Sequence, residues 1–318
     1  MKKIVLTVMA LCLATVGFAQ EADSTGSTMS QPVRKPLELS WEQTEVGDFS
    51  QQVSYVHQRN ADVMYYHTIW RVIDLREKMN HPLYFPTETR GTWRSLAQVI
   101  FDAVDIEHPE RTEAEGVLPL YTDEFCTNYV SREGVKSSLS KTKNIILYDE
   151  YGEEIGTQEL TENFTASQVS MYRVKELWFI DKRRSVLEVR ILELEPIIEY
   201  EKDLEQQGPP IPGQEIAEDD DDVKAIKLKT RLGFIMYDEL RPYLVKQEVY
   251  NPKNNAQRLS LDDLLTWKRE FSSYIYKEQN VYDDREISDY IANARDQRIE
   301  SDRITEKIRT IEHDLWEF

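Results

Sequence analysis

Apolar positions are sparse at the start of the chain and dense beyond it. After an apolar run at Ile4–Val16, residues 20 to about 40 are rich in Ser, Thr, Gln and Pro, with few large apolar residues before Leu37, Leu39 and Trp41. That composition predicts a flexible leader over 20–50. From Tyr55 the aromatic and aliphatic density rises, through Tyr65, Tyr66, Ile69, Trp70, Val72, Ile73 and Leu75 to Leu83-Tyr84-Phe85-Pro86, and a folded body over 51–318 is expected. Periodicity leaves Ile69–Met79 open between a strand running into a helix and a helix throughout. Leu96, Val99, Ile100 and Ala103 recur at helical spacing and predict a helix over 93–104, with Thr92 as its N-cap.

Strand signals dominate the middle of the chain. Ile145-Ile146-Leu147-Tyr148 followed by Gly152 reads as a strand entering a hairpin near Gly152–Gly156. Over 174–200 an apolar strand, the charged turn Asp181-Lys182-Arg183-Arg184 and the alternation Leu187, Val189, Ile191 predict two paired strands. The apolar phase then moves to Leu192 and Leu194, the mark of a bulge. Residues 201–223 combine Gly208-Pro209-Pro210, Pro212-Gly213 and the run Glu218–Asp222, and read as an acidic Pro/Gly surface loop. Leu228, Thr230, Leu232, Phe234 and Met236 then alternate with Lys227, Lys229 and Arg231 as a strand with an apolar and a basic side.

Ser260-Leu261-Asp262-Asp263 reads as a capping box opening a short helix through Leu264, Leu265 and Trp267, followed by an aromatic strand at Phe271–Tyr276. Residues 286–316 read as helical, roughly 45 Å long if continuous, with a break near 296–302 equally compatible with the pattern. Ile287, Ile291 and Ala294 share one face of it, and Ile304, Ile308, Ile311 and Leu315 form a second stripe, with Arg298 and Ser301 interrupting. This stripe, with Trp316 and Phe318 behind it, is the candidate interaction or packing surface. Packing mainly within the chain is expected, with Trp316 and Phe318 near a subunit boundary. The fold class that results is α+β: an antiparallel or mixed sheet with flanking helices and a long C-terminal helix.

Charge and cysteine content narrow the setting. Lys2 and Lys3 precede the apolar run, and Gly17 and Ala19 precede Gln20, so residues 1–19 read as a secretory signal peptide with a mature start at Gln20. The run of roughly 13 residues is short of the ~20 needed to span a bilayer, and no direct membrane insertion of the mature chain is expected. Cys12 lies inside the run after Leu11, without the small residue that lipid attachment requires before it. The net charge is −19, and losing Lys2 and Lys3 takes it to about −21. Nucleic acid, which demands a basic footprint, is therefore not an expected ligand. Cys126 is the remaining cysteine, so no internal disulfide is expected and it reads as a small buried hydrophobe.

Candidate chemistry is thin. The 11 glycines never occur as Gly-x-Gly, no Lys-Ser/Thr completes a phosphate loop, and Glu312-His313 lacks a second histidine at zincin spacing. His57, His67, His81, His108 and His313 stand singly, and the acidic run 218–222 lacks the spacing of a calcium loop. Acidic pairs such as Asp262-Asp263 and Asp283-Asp284 arise by chance among 58 carboxylates. No catalytic, metal or cofactor-binding residues and no cofactor are expected.

Whole phrases are more telling. Trp70-Arg71-Val72-Ile73-Asp74-Leu75, Asn80-His81-Pro82-Leu83-Tyr84-Phe85-Pro86, Leu177-Trp178-Phe179-Ile180-Asp181-Lys182-Arg183, Ile275-Tyr276-Lys277-Glu278-Gln279-Asn280-Val281-Tyr282 and Lys307–Trp316 occur in an order that resembles the GldN/PorN family over about 55–318. The resemblance implies a non-enzymatic subunit of a periplasmic ring of the type IX secretion and gliding machinery. It implies a GldK/PorK-type outer-membrane lipoprotein and a GldM/PorM-type motor protein as partners, self-association in a ring, and a periplasmic location beneath the outer membrane. The alternative from another class is a periplasmic enzyme or small-ligand-binding protein with a site of scattered carboxylates and tyrosines. A deep pocket holding several strongly perturbed titratable groups would favour that alternative.

Overall fold

The computed structural model describes residues 51–90, 93–105, 117–148, 154–202, 226–254 and 257–315. The expected signal peptide 1–19 and leader 20–50, Thr92, Gly152, most of the expected acidic loop 201–223, Trp316 and Phe318 lie outside the described residues. In chain order the elements are β1 (Val63–Asp74), α1 (His81–Tyr84), α2 (Leu96–Val104), α3 (Arg132–Leu139), β2 (Ser140–Tyr148), β3 (Glu154–Asn163), β4 (Val169–Asp181), β5 (Val186–Lys202), β6 (Ile226–Arg231) and β7 (Ile235–Met236). They continue with α4 (Tyr237–Val245), β8 (Glu248–Val249), β9 (Leu259–Ser260), a π-helical turn (Asp263–Lys268), β10 (Tyr274–Glu278), α5 (Ile287–Tyr290) and α6 (Ala294–Asp314).

The main sheet is antiparallel, in the order β10-β1-β4-β5-β6, with β7 also paired to β5. The fold is thus α+β. β1 resolves the ambiguity over Ile69–Met79 as strand followed by a 3₁₀ turn at Lys78–Asn80. Ile69, Trp70, Val72 and Ile73 are all buried, so both faces of this strand are covered and the alternation that would have marked it is absent. β4 and β5 form the long hairpin expected. Its turn is held by Asp181, which accepts from the Arg183 amide at 3.0 Å and from Arg184 Nε at 2.7 Å, with Ser185 left-handed at φ 49°. The phase shift in β5 is a bulge: Lys175 pairs with Glu193 but Glu176 with Ile191, so Leu192 is the extra residue and is 40% exposed while Leu194 is buried.

Several expectations are corrected. α2 begins at Leu96, not near 93, because Ser95 makes the cap: its Oγ accepts the Gln98 amide and the Gln98 side chain accepts the Ser95 amide at 2.9 Å. The alternation through Met236 stops at Arg231, where Leu232-Gly233 resets the phase. Gly233 has φ 138°, and Ile235 rather than Phe234 or Met236 enters the core. Ser260 and Asp263 exchange the reciprocal cap hydrogen bonds, but the helix they open is a π turn that ends at left-handed Arg269. Trp267 is left 45% exposed by that wider turn. The aromatic strand runs over Tyr274–Glu278 rather than Phe271–Tyr276. The C-terminal helical region breaks at Ile291–Asn293, where Asn293 caps α6, and is continuous through 296–302. α6 is therefore roughly 31 Å long for its 21 residues.

One face of the sheet packs against α2, α4 and the π turn, joining Ile73, Tyr172, Val174 and Leu194 to Leu96, Ile100, Leu240, Leu244 and Leu265. Further along the same face of β4 a second apolar cluster, Ile69, Trp178 and Ile275, receives α6. Fully buried Glu176 stands between Val174 and Trp178 and divides the two. Its carboxylate accepts Trp178 Nε1 at 2.8 Å and Arg269 Nη2 at 2.7 Å, with Arg71 Nη1 at 3.6 Å. A second buried ion pair ties α4 to the π turn. Arg241 and Asp262, 1% and 3% exposed, meet through two parallel hydrogen bonds of 3.0 Å. Thr266 Oγ1 donates to Asp262 at 2.7 Å, and Arg241 also donates to the Val53 carbonyl at 2.7 Å.

Candidate functional site

The C-terminal stripe lies on the chain's own sheet. Ile304 and Ile308 are buried against Ile69, Trp178, Ile275 and Ile287, with Tyr65, Leu187, Val189 and Ile291 packed around them. Ile311 and Leu315 are half-buried at the end of the helix. The interruption at Ser301 has a structural cause. β10 is the edge of the sheet, and Ser301 Oγ accepts the outward Ile275 amide at 2.8 Å, satisfying an edge donor that an apolar residue would strand. Ala294 is exposed because the break before Asn293 takes it off the face of Ile287.

The opposite face of the sheet carries a row of four side chains brought together by strand register alone: Lys277, Trp70, Lys175 and Glu193. Both ammonium groups lie over the Trp70 ring, Lys277 at 4.2 Å and Lys175 at 5.3 Å from its centroid. Glu124, from the loop between Tyr121 and Tyr129, reaches both lysines at 3.3 and 3.4 Å and clamps the loop onto the sheet. The next row pairs Arg173 with Glu195 at 3.9 Å, and Arg173 stacks over Tyr276 at 4.9 Å. The loop itself turns at Cys126, left-handed at φ 52°, whose Sγ is 3.9 Å from Glu193, and it raises Phe125, 80% exposed, beside the Lys175 ammonium.

Protonation is displaced here. Burial, partly offset by Lys175 and reinforced by Glu124 and Glu195, pushes the Glu193 carboxyl from 4.5 up to about 8. Burial likewise raises Glu195 against the pull of Arg231 and Arg173, and burial with Glu193 and Asp123 pushes the Cys126 thiol up to about 11. Cys126 is half-buried rather than a core residue, and it is held as the thiol. A carboxyl raised on folding favours the folded state fully below its unfolded value, and that contribution is lost as pH climbs through the folded value. Glu193 should therefore cost stability progressively between pH 4.5 and 8. Glu193→Gln is expected to flatten the fall in urea midpoint across that window and to raise the midpoint at pH 8. Equal pH slopes for the two proteins would show that Glu193 does not carry the effect.

A groove of about 790 Å³ opens elsewhere, lined by Arg76, Tyr84, Phe85, Glu162, Glu199 and Tyr200 among others. Glu199 is held there by Arg76 at 2.7 Å. None of the residues of the Glu193 cluster lines this groove. No group of three or more potential metal ligands converges among the described residues. No helix is long and apolar enough to cross a membrane among them.

Among the exposed large hydrophobic side chains, some stand on turns. Phe125 and Tyr129 stand on one loop, with the Tyr129 ring tilted against that of buried Tyr121 at 4.9 Å, and Val281 and Tyr282 stand on the turn after β10, where Asp283 and Asp284 are left-handed. Large aromatic side chains are enriched among the residues that carry binding energy at protein interfaces. The sequence signal for them was present as apolar residues inside polar, turn-forming stretches. A family model described as gliding motility associated protein GldN matches residues 58–317. No curated protein matches the chain.

Proposed function

Because the chain belongs to the GldN family, whose members are gliding motility associated proteins, we propose that it is a non-enzymatic structural subunit of a periplasmic ring of the type IX protein secretion system. In this reading it binds a GldK/PorK-type outer-membrane lipoprotein and a GldM/PorM-type motor protein, and reaches the outer membrane through the lipoprotein. The observation that carries it is the family match across 58–317, which takes in nearly all of the described body. Two features support it. The charged and aromatic groups of the Glu193 cluster are engaged with one another, and Phe125, Tyr129, Val281 and Tyr282 are exposed on turns.

Isolation of the native protein from cell envelopes tests this. The expected result is a chain beginning at Gln20 that co-purifies with a lipoprotein in fixed proportion. Recovery as a free monomer that turns over an envelope substrate would overturn it in favour of the enzyme reading.

A further inference from the structure

The tip of the loop between Tyr121 and Tyr129 is tied to the sheet by two lysines, and one of them has a second claimant. Lys175 Nζ donates to the Glu124 carbonyl at 3.3 Å, pairs with the Glu124 carboxylate at 3.4 Å and lies 5.1 Å from the centroid of the Phe125 ring. On β5, Glu193 stands 3.9 Å from the same ammonium. Lys277 adds one further tie, 3.3 Å from Glu124. The base of the loop is fastened independently. The Tyr121 amide and carbonyl pair with Phe234 at 2.8 and 3.0 Å, and the Val130 amide donates to the Leu120 carbonyl at 2.8 Å. The tip can therefore leave the sheet by a local opening that spares the base.

The tip also stands against Glu193, which is 5% exposed: the Cys126 thiol points to its carboxylate at 3.9 Å. A neutral Glu193 leaves the Lys175 charge to the loop. An ionised one draws Lys175 toward β5, repels Glu124 and lacks the water that a buried carboxylate requires. Around it, Lys175 on β4 and Lys277 on β10 favour the charged form, while Glu124 on the loop and Glu195 on β5 oppose it. Glu195 is engaged in turn by Arg173 and Arg231, with Glu286 acting on it, and Asp123 and Glu239 act on Cys126. Burial outweighs the lysines, which places the Glu193 carboxyl at about 8.

We propose that residues 122–129 form a proton-controlled latch: protonated Glu193 leaves Lys175 to hold the loop tip on the sheet, and loss of that proton to solvent releases the tip, with Phe125, while the base stays paired. The closed form prevails below the folded value of Glu193 and the open form above it.

Alkylation of Cys126 by iodoacetamide reads the latch, because this half-buried thiol rides on the tip. The labelled peptide is followed by mass spectrometry from about pH 6.5 to 9. Only the thiolate reacts, so a thiol in fixed surroundings gains at most about tenfold in rate per pH unit. The wild type is expected to gain more than about tenfold per unit up to about pH 8, since release of the tip and ionisation of the thiol each lose a proton. Glu193→Gln, which stays latched, should gain no more than that limit and label several-fold more slowly than the wild type above pH 8. Direct electrostatics has the opposite sign: an ionised Glu193 disfavours the thiolate, so without a latch the wild type would be the slower of the two. Wild-type rates at or below the single-proton limit, or a Glu193→Gln profile as steep as the wild type, would overturn the proposal. The steepness of the wild type decides by itself if the variant does not fold.

Discussion

Ile308→Asp is expected to lower the melting temperature of the isolated protein on the order of 10 °C. Ile308 is 1% exposed, enclosed by Ile69, Trp178, Ile275 and Ile287. Placing an unpaired charge there costs several kcal/mol, and for a body of this size each kcal/mol moves the transition by about 2–4 °C. The loss should appear without any partner present, because the helix docks on its own sheet. It should extend to β10, whose outer edge α6 covers. Ser301→Ala isolates the second part: it leaves the Ile275 amide without an acceptor, at a cost of about 1–3 kcal/mol. Thermal unfolding followed by circular dichroism measures both. A wild-type melting curve for Ile308→Asp would mean that the stripe is covered by another chain.

The other large effect is expected at Asp262. Asp262→Ala removes the acceptor of both Arg241 hydrogen bonds and of Thr266 Oγ1, leaving a guanidinium that is 1% exposed beside the Val53 carbonyl and the Tyr55 ring, 4.5 Å away. Breaking a buried pair on one side costs about 3–5 kcal/mol, mostly as the penalty of the stranded charge. The double replacement Arg241→Met with Asp262→Leu removes both charges together and should recover most of that loss. Urea titrations of Arg241→Met, Asp262→Leu and the double variant form the cycle. Additive losses would show that the two side chains are not coupled, against the geometry. Because Arg241 also holds the Val53 carbonyl, faster proteolysis near residues 53–56 should accompany Arg241→Met, which removes that donor.

Sequence legibility followed the range of the interactions involved. The face of α2, the long β4–β5 hairpin and the bulge at Leu192 were readable because each is written in spacings of a few residues. The same reading failed at β1, where coverage of both faces erased the alternation, and at Gly233, where one positive φ moved Ile235 into the place expected for Phe234 and Met236. It also missed the Glu193 cluster. Lys277, Trp70, Lys175 and Glu193 lie on four different strands, and nothing local marks Glu193 as different from the other carboxylates of an acidic chain.

By itself the sequence determined the family, through phrases occurring in order, the α+β class, through strand and helix periods, and the apolar stripe Ile304–Ile308 that had to be covered. Only the tertiary structure decided what covers it, that Ser301 belongs in the stripe as the acceptor of an edge amide, and that Arg241 meets Asp262 in the core. A helix or strand declares its own buried face, since spacing along one element sets which side chains share a side. The identity of the surface opposite is a matter of register and packing between distant segments. Burial, charge pairing and the displaced protonation of Glu193 arise only once those segments meet.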